Sequence, residues 1–379
     1  RRLLQASGAE VIHLGHNRSV AEIVDAAVQE DVQGIAVSSY QGGHTEYFRY
    51  MVDMLREKGR GDIRVFAGGG GVIVDEEIQA LHDYGVSKIY SPEDGQRLGL
   101  QGMIDDMLSR ANFYPGEEAT QFLDKLDARN HACLARVLTE IENSTLSDDI
   151  ARQIQSNVDS AQKKIPVIGI TGTGGSGKSS LTDELILRLR IDSDDELRIA
   201  VLAVDPTRRK TGGALLGDRI RMNAIEGQTV FFRSIATRAA GGEIPAELSR
   251  MVTACRAADF DLVIVETPGI GQGDAGIVEE ADVSLYVMTP EFGAASQLEK
   301  IEMLDYADLV AINKSDRKGS KDALRDVRKQ MQRNRAAFSQ PVENMPVFTT
   351  MASRFNDAGV TDLYRVLRSS LVEGGFVKG

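Results

Sequence analysis

Apolar residues along this chain fall into two series of short blocks separated by a more polar stretch. In the first, over residues 9–110, apolar runs at 10–14, 34–37, 64–67 and 88–90 alternate with segments at 20–30, 46–58, 75–84 and 99–110, whose apolar positions recur every three to four residues. Short unbroken runs suit buried strands, and a 3.6-residue period suits helices that bury one face. Their alternation predicts a parallel sheet covered on both sides. A second series, at 165–170, 199–204, 262–265 and 309–312, has almost wholly apolar runs, the pattern of strands buried on both faces. The expected fold is therefore α/β: two doubly wound parallel-sheet domains, over 1–112 and 164–379.

Between them, 113–163 is polar and mostly helical in pattern. Tyr114-Pro115-Gly116 breaks the preceding helix, and Phe122, Leu123, Leu126, Leu134, Val137, Leu138 and Ile141 recur at helical spacing. Ser147 is placed to cap a further helix, with Asp148 and Asp149 in its first turn. The segment reads as a helical linker: either a solvated spacer or an arm that transmits state or dimerises. Apolar stripes on a mere tether would be left exposed, which favours the arm.

Directly after the run at 165–170 the chain reads G-T-G-G-S-G-K-S from Gly172 to Ser179. A strand that stops abruptly and a helix that starts on glycines turn backbone N–H groups inward around an anion, the phosphate-cradling P-loop. Gly174, Gly175, Ser176, Gly177 and Ser180 belong to this cradle. Lys178 can reach the terminal phosphates and Ser179 can offer its hydroxyl to magnesium. The helix through Leu181, Leu185 and Leu189 points its positive end at the site.

The run at 309–312 leads into Asn313-Lys314-Ser315-Asp316. An aspartate so placed can accept from the two donor N–H groups on guanine's Watson–Crick edge. Adenine would leave it desolvated and unpaired. GTP is the expected nucleotide. Asp205 and Glu266 fall at the carboxyl ends of strands, where open α/β sheets place ligands, and hard oxygens there suit magnesium. Asp218 and Arg221 are three apart: either one serves the metal and the other the phosphates, or they form a surface ion pair. The position after Gly269 is Ile270, which cannot orient a hydrolytic water; Gln272 either does so or merely solvates its loop. Slow turnover is expected.

Taken in order, V-D-P-T, T-G-G-A-L-L-G-D-R-I-R-M, E-T-P-G-I-G-Q-G-D and N-K-S-D behind the P-loop resemble the G-protein chaperones of cobalamin-dependent acyl-CoA mutases, over about 164–371. The resemblance implies magnesium contacts from Ser179, Asp205, Asp218, Glu266 and Thr267 and a nucleotide contact from Arg221, and the candidate catalytic residues are Lys178, Glu266 and Gln272. It also implies that the loop 290–297 and a helix over 298–304 form a switch sensing the mutase.

The first series resembles the cobalamin-binding domain of the same mutases. Ser38 and Tyr40 stand where that family has S-x-L. The run from Gly68 to Gly71, with Gly69 and Gly70 at its centre, stands where it has a glycine pair against the cofactor's nucleotide tail. Four glycines there mean a bulky ligand close to the backbone or an unusually tight turn. The family's cobalt-ligating histidine lies in a loop before its first helix. This chain opens with Arg1-Arg2-Leu3-Leu4-Gln5, which reads as the end of that helix, so the first strand and the histidine loop are expected to be missing. His13 and His16 read as solvated loop residues, and His44 as a corrin neighbour or a polar turn residue.

The order of the two domains is similar to that of the fused isobutyryl-CoA mutases, in which a substrate barrel follows. The resemblance implies adenosylcobalamin as cofactor and interconversion of isobutyryl-CoA and n-butyryl-CoA by the parent enzyme. As partners it implies GTP and GDP, the acyl-CoA mutase substrate barrel, an adenosyltransferase and a second copy in a homodimer. Without that barrel and the histidine loop, this chain alone is not expected to isomerise acyl-CoA.

Composition narrows the rest. At 379 residues and 42% hydrophobic, the chain can bury two ordinary cores. Net charge −12 argues against nucleic acid, and Arg208-Arg209-Lys210 is too short a basic cluster to reverse it. Two cysteines, Cys133 and Cys255, fit a reducing cytoplasm. The longest apolar runs, of about six residues, are far below the ~20 a membrane span requires. Two other readings stay open: a metal-insertion GTPase of the nickel-chaperone type, which needs a cysteine or histidine cluster near its switches, and a sensor of nucleotide or cobalamin that does not hydrolyse.

Overall fold

Contacts in the computed structural model divide the chain into two units: Arg1–Leu126, Asn130–Ile150 and Arg208–Leu215 form the first, and Asp127–Arg129, Ala151–Thr207 and Leu216–Gly379 the second. The structure describes all residues except 40–41, 70, 115–124, 162, 208–209, 239–243, 269–275, 294–297 and 375–379.

The first unit runs α1 (Arg2–Ala6), β1 (Glu10–Ile12), α2 (Val20–Gln29), β2 (Gly34–Ser38), α3 (His44–Glu57), β3 (Arg64–Gly68), α4 (Asp75–Tyr84), β4 (Lys88–Tyr90), α5 (Pro92–Ala111) and α6 (His131–Glu142). Strands β2, β3 and β4 form a parallel sheet, with Ile35 opposite Val65 and Phe66 opposite Lys88. Val24, Phe48, Met51, Leu55, Val65, Leu81 and Ile89 fill its core. Helix α2 begins where it does because Ser19 and Glu22 cap each other: the Ser19 hydroxyl accepts from Glu22 N–H at 3.2 Å, and Ser19 N–H donates to Glu22 Oε2 at 2.7 Å.

Two elements differ from expectation. The strand expected at 10–14 is only three residues long and pairs outside the β2–β4 sheet, with β7 (Ala214–Leu216). Gly213 allows this: a Cβ there would collide with the carbonyl oxygen of Gln5 and lie 2.9 Å from that of Ala9, which accepts from Ala214 N–H. The helix expected over 99–110 starts earlier, at Pro92 behind a Ser91 cap, and kinks at Gly99 (φ +65°).

The segment expected to link the domains is not uniform. Leu134, Val137, Leu138 and Ile141 of α6 are buried, and α6 packs on α2 within the first unit. The grouping passes to the second unit inside α7 (Asp148–Ser160), whose Ile150 N–H reaches the expected Ser147 cap at 3.4 Å.

The second unit continues with β5 (Val167–Gly172), α8 (Lys178–Asp192), β6 (Ile199–Asp205), β8 (Val230–Ala236), α9 (Leu248–Ala257), β9 (Leu262–Glu266), α10 (Gly276–Glu280), β10 (Val283–Met288), α11 (Met303–Tyr306), β11 (Leu309–Ile312), α12 (Ser320–Asn334), β12 (Val347–Thr349) and α13 (Ala358–Glu373). Its seven strands are ordered β12-β11-β10-β5-β9-β6-β8, and every pairing is parallel. From β5 the chain runs to β6 and β8 on one side, returns to β9 beside β5, and crosses to β10, β11 and β12 on the other, so the crevice at the carboxyl end of β5 is the topological switch point where ligands bind in such sheets. The helix expected over 298–304 is absent as such. Turns bonded from Ile301 N–H to Leu298 O and from Leu304 N–H to Ile301 O bury Leu298 and Leu304, and α11 begins only at Met303. Among the described residues no helix is long and apolar enough to cross a membrane.

A buried ion cluster pins α6. Asp31, at the end of α2 with φ +47°, has a fully buried carboxylate 2.7 Å from Arg60 Nη1 and 3.2 Å from Arg136 Nη2 of α6. Removing one partner of such a cluster leaves the other charges buried and uncompensated. Asp31→Asn keeps a residue that tolerates the left-handed backbone. It should lower the unfolding free energy of the first unit by about 3–5 kcal/mol in urea titrations. A loss under ~1 kcal/mol would mean that the two arginines are solvated or satisfied elsewhere.

Candidate functional site

The loop between β5 and α8 is glycine-dependent at its two ends. Gly172 has φ +149°, and a Cβ on it would overlap the Val287 carbonyl of β10. Gly177 has φ +87° and caps α8, where a Cβ would sit 2.7 Å from Asn313 Nδ2. The backbone overlap demands glycine at 172, and the positive φ strongly favours it at 177. The 15-residue α8 starts at Lys178, whose Nζ lies 3.1 Å from the Gly172 carbonyl. Around this loop the hydroxyls of Thr171, Thr173, Ser176 and Thr267 are buried without a hydrogen-bond partner among the described residues. Orphaned donors are costly in a protein interior unless a ligand or water completes them. Their concentration beside a helix N-terminus fits a polyanion such as a triphosphate. Ser180 is on the exposed side of the first turn.

Three carboxylates gather next to the loop. Glu266, only 2% exposed, ends β9 between Ile170 of β5 and Ala203 of β6. Its Oε1 is 2.8 Å from Ser179 Oγ, and its Oε2 is 3.0 Å from Thr182 Oγ1. Ser179 Oγ also lies 3.1 Å from Asp218 Oδ1. Asp205, at the end of β6, accepts from Gly217 N–H at 3.1 Å. Burial raises the carboxyl pKa of both Glu266 and Asp205, and the negative charge of Asp218 raises them further. This crowding of hard oxygen donors fits a divalent cation. Among the described residues no three His, Cys, Asp or Glu side chains form a ready-made cage.

At the far end of the loop Asn313 is a keystone, 2% exposed. Its Nδ2 donates to the Ser176 carbonyl at 2.8 Å, while its Oδ1 accepts from Thr350 Oγ1 at 3.2 Å and from Ala352 N–H at 3.0 Å. Lys314, in the left-handed region at φ +57°, lays its Nζ 2.7 Å from the Gly175 carbonyl. Ser315 N–H donates to Thr350 O at 3.1 Å, and Asp316 is exposed. The structure thus brings Gly174–Ser179, Asp205, Asp218, Glu266, Thr267 and Asn313–Asp316 to one edge of one sheet.

Arg221 is not drawn into this group. It lies in a 3₁₀ turn, Arg219–Arg221, is exposed, and its Nη1 is 3.8 Å from Asp218, the geometry of a weak surface ion pair. Gln272 lies outside the described residues. Cys255 is buried in α9, its thiol pushed up to about 12 by burial, so it offers no accessible soft ligand of the kind a nickel chaperone needs. Sequence reasoning passed over Thr182 and the segment from Thr350 to Ala352. The only available signal for the latter was a short apolar run ending in small polar residues, V-F-T-T-M-A-S.

In the first unit, Ser38 is exposed at the end of β2, and Ser39 N–H donates to Gly68 O at 2.9 Å. A Cβ on Gly69 would lie 2.9 Å from both Ser39 O and Ile73 Cγ1, so close packing of two loops already demands that glycine. Tyr40 and Gly70 lie outside the described residues. His44 is buried, its Nε2 3.0 Å from Glu77 Oε2; His16 is exposed and His13 half-buried.

Comparison with known proteins yields two family matches: "Methylmalonyl Co-A mutase-associated GTPase MeaB" over residues 134–370, and "B12 binding domain" over residues 1–88. The chain is 62% identical over 371 residues to the fused isobutyryl-CoA mutase of Cupriavidus metallidurans, an alignment covering 98% of this chain and 34% of that protein. It is 59% identical over 368 residues to the protein of the same name from Nocardia farcinica, covering 97% and 34% respectively. The chain therefore spans about a third of the length of these curated relatives. A solved structure titled as an LAO/AO transport system kinase matches 70% of this chain and 79% of its own, at 22% identity and a TM-score of 0.47.

The raised carboxyls set a pH dependence. Near neutrality the folded, metal-free protein holds protons that the unfolded chain has released, so its stability falls as pH rises from the ordinary carboxylate range through neutral. In EDTA, the second unit should lose about 1–3 kcal/mol between pH 5.5 and pH 8 in urea unfolding. Magnesium with GDP should flatten that slope. A pH-independent stability in EDTA would contradict the clustered, buried arrangement.

Proposed function

The chain belongs to the family of methylmalonyl-CoA mutase-associated GTPases, joined here to a B12-binding domain, and we propose that it binds GTP with magnesium and hydrolyses it slowly, as the nucleotide-driven chaperone of an adenosylcobalamin-dependent acyl-CoA mutase. The observation that carries the reading is Asn313. It ties the phosphate loop, through Ser176, to the loop from Thr350 to Ala352, leaving the Asp316 carboxylate exposed beside them. This tie between the proposed phosphate cradle and the proposed base reader supports the reading that a single nucleotide bridges them.

Each residue then has a task. Backbone N–H groups over 174–179 and the start of α8 take up phosphate charge. Lys178 leaves the Gly172 carbonyl for the outer phosphates, and Asp316 accepts from guanine's two donor groups. Ser179, Asp205, Asp218, Glu266 and Thr267 supply the oxygens that hold magnesium or its waters, and Arg221 swings in from the surface to the nucleotide. Magnesium, when bound, neutralises charge between the outer phosphates. Ile270 provides no hydrogen bond to an attacking water and Gln272 is the candidate to orient it, consistent with a timer rather than a fast catalyst.

In the first unit, Ser38, Tyr40, Gly69 and Gly70 receive the cofactor's tail. In the whole enzyme a substrate barrel completes the site, isobutyryl-CoA and n-butyryl-CoA interconvert, the loop from 290 senses the mutase, an adenosyltransferase supplies the cofactor, and two copies pair. The setting is cytoplasmic, in keeping with two buried free cysteines.

Steady-state phosphate release from GTP tests the reading. Lys178→Ala should lower it at least about a hundredfold. Asp316→Asn should shift selectivity from GTP toward xanthosine triphosphate, by about a hundredfold or more. Release no faster in the wild type than in Lys178→Ala would point to a sensor instead, and unchanged selectivity in Asp316→Asn would remove the base assignment.

A further inference from the structure

Glu266 is gripped at both oxygens by two hydroxyls one helical turn apart on α8, Ser179 at Oε1 and Thr182 at Oε2. The two grips are unequal. Ser179 Oγ stands between Glu266 and Asp218, at 2.8 and 3.1 Å, and a hydroxyl has one proton to donate. It serves one carboxylate at a time. Thr182 is fully buried, and its hydroxyl has Glu266 as its hydrogen-bond partner.

Its direction is also unusual for this protein. A helical threonine commonly turns its hydroxyl back to the carbonyl four residues earlier. Thr139 does so to Ala135 at 3.0 Å, Thr253 to Ser249 at 2.9 Å and Thr361 to Asp357 at 3.0 Å. Thr182 turns sideways to the carboxylate instead. A glutamate held at one oxygen can pivot about that contact; held at both, the plane of its carboxylate is set.

We propose that Thr182 is a positioning residue: it fixes the carboxylate plane of Glu266, so that the acid presents its oxygen to the divalent cation whichever way the Ser179 proton points. Thr182 itself touches neither cation nor nucleotide. The inference rests on the nucleotide reading above and concerns the cation's contribution to affinity, not the phosphate loop's own.

The test is binding of a fluorescent GDP to the full chain, in EDTA and across a magnesium titration, with no hydrolysis involved. For Thr182→Val, which removes the hydroxyl and keeps the shape, the magnesium midpoint should rise roughly ten- to hundredfold, as for losing a hydrogen bond to a charged group. Affinity in EDTA should stay within about threefold of wild type, and Thr182→Ser should restore the midpoint to within about threefold. Should Thr182→Val not yield folded protein, Thr182→Ala serves in its place. An unshifted midpoint overturns the proposal. So does a loss of affinity in EDTA equal to that in magnesium, or a serine variant as poor as valine, since either marks a packing role. A wild-type protein whose GDP affinity ignores magnesium also overturns the proposal, whereas one that binds no GDP with or without magnesium removes the nucleotide reading itself, an outcome visible without any variant.

Discussion

The second unit depends on carboxylates kept where water is scarce. Glu266 closes a strand flanked on both sides by hydrogen-bonded neighbours, and its carboxyl is buried against the start of α8. Nothing in hydrophobic packing favours an acid there. Two hydroxyls and a neighbouring pair of aspartates surround it, and burial pushes its proton affinity up. Such an arrangement is poor for stability and good for a ligand that brings positive charge. The orphaned hydroxyls of Thr171, Thr173, Ser176 and Thr267 tell the same story for negative charge. Sites suited to a cation and to a polyanion thus share one crevice, which is what the proposed metal nucleoside triphosphate requires.

The surrounding sheet makes that crevice dependable. Every pairing is parallel, so all strand carboxyl ends lie along one edge, and β5 sits where the winding reverses. The apolar side chains of Ile168, Ile170, Val201, Ile264, Leu285 and Val287 cover one face of these strands, and Val167, Leu202, Val263, Val265 and Val310 are buried on the other. Side chains at the strand ends therefore have a rigid base, and a loop as short as that from Asn313 to Asp316 can hold its shape through three hydrogen bonds to one amide.

In the first unit polar burial plays a different part. The Asp31, Arg60 and Arg136 cluster ties α6 to α2, and Gln29 with His131 adds a contact at 3.0 Å. These contacts join the end of α2 to α6. His44 and Glu77 similarly join the starts of α3 and α4. The glycines between them are shaped first by loop-to-loop packing, as Gly69 shows against Ser39 and Ile73.

Local chemistry was legible from residue order alone. Strands buried on both faces announce themselves as unbroken apolar runs, and β11 falls at 309–312 as expected. Glycine is required where Gly172 meets the Val287 carbonyl and favoured at the positive φ of Gly177, so Gly172 through Ser179 reads as a phosphate cradle, and the order Asn313 to Asp316 raises the expectation of a base reader. What needed the folded chain was every pairing between distant segments. Residue order shows neither that Thr350 and Ala352 hold Asn313 nor that Thr182 turns from its own helix to Glu266. It does not show that α6 buries its stripe on α2, or that Glu10–Ile12 pairs with Ala214–Leu216. Propensity and spacing act over a few residues, whereas burial and hydrogen-bond completion are settled among groups that meet only once the sheets have formed.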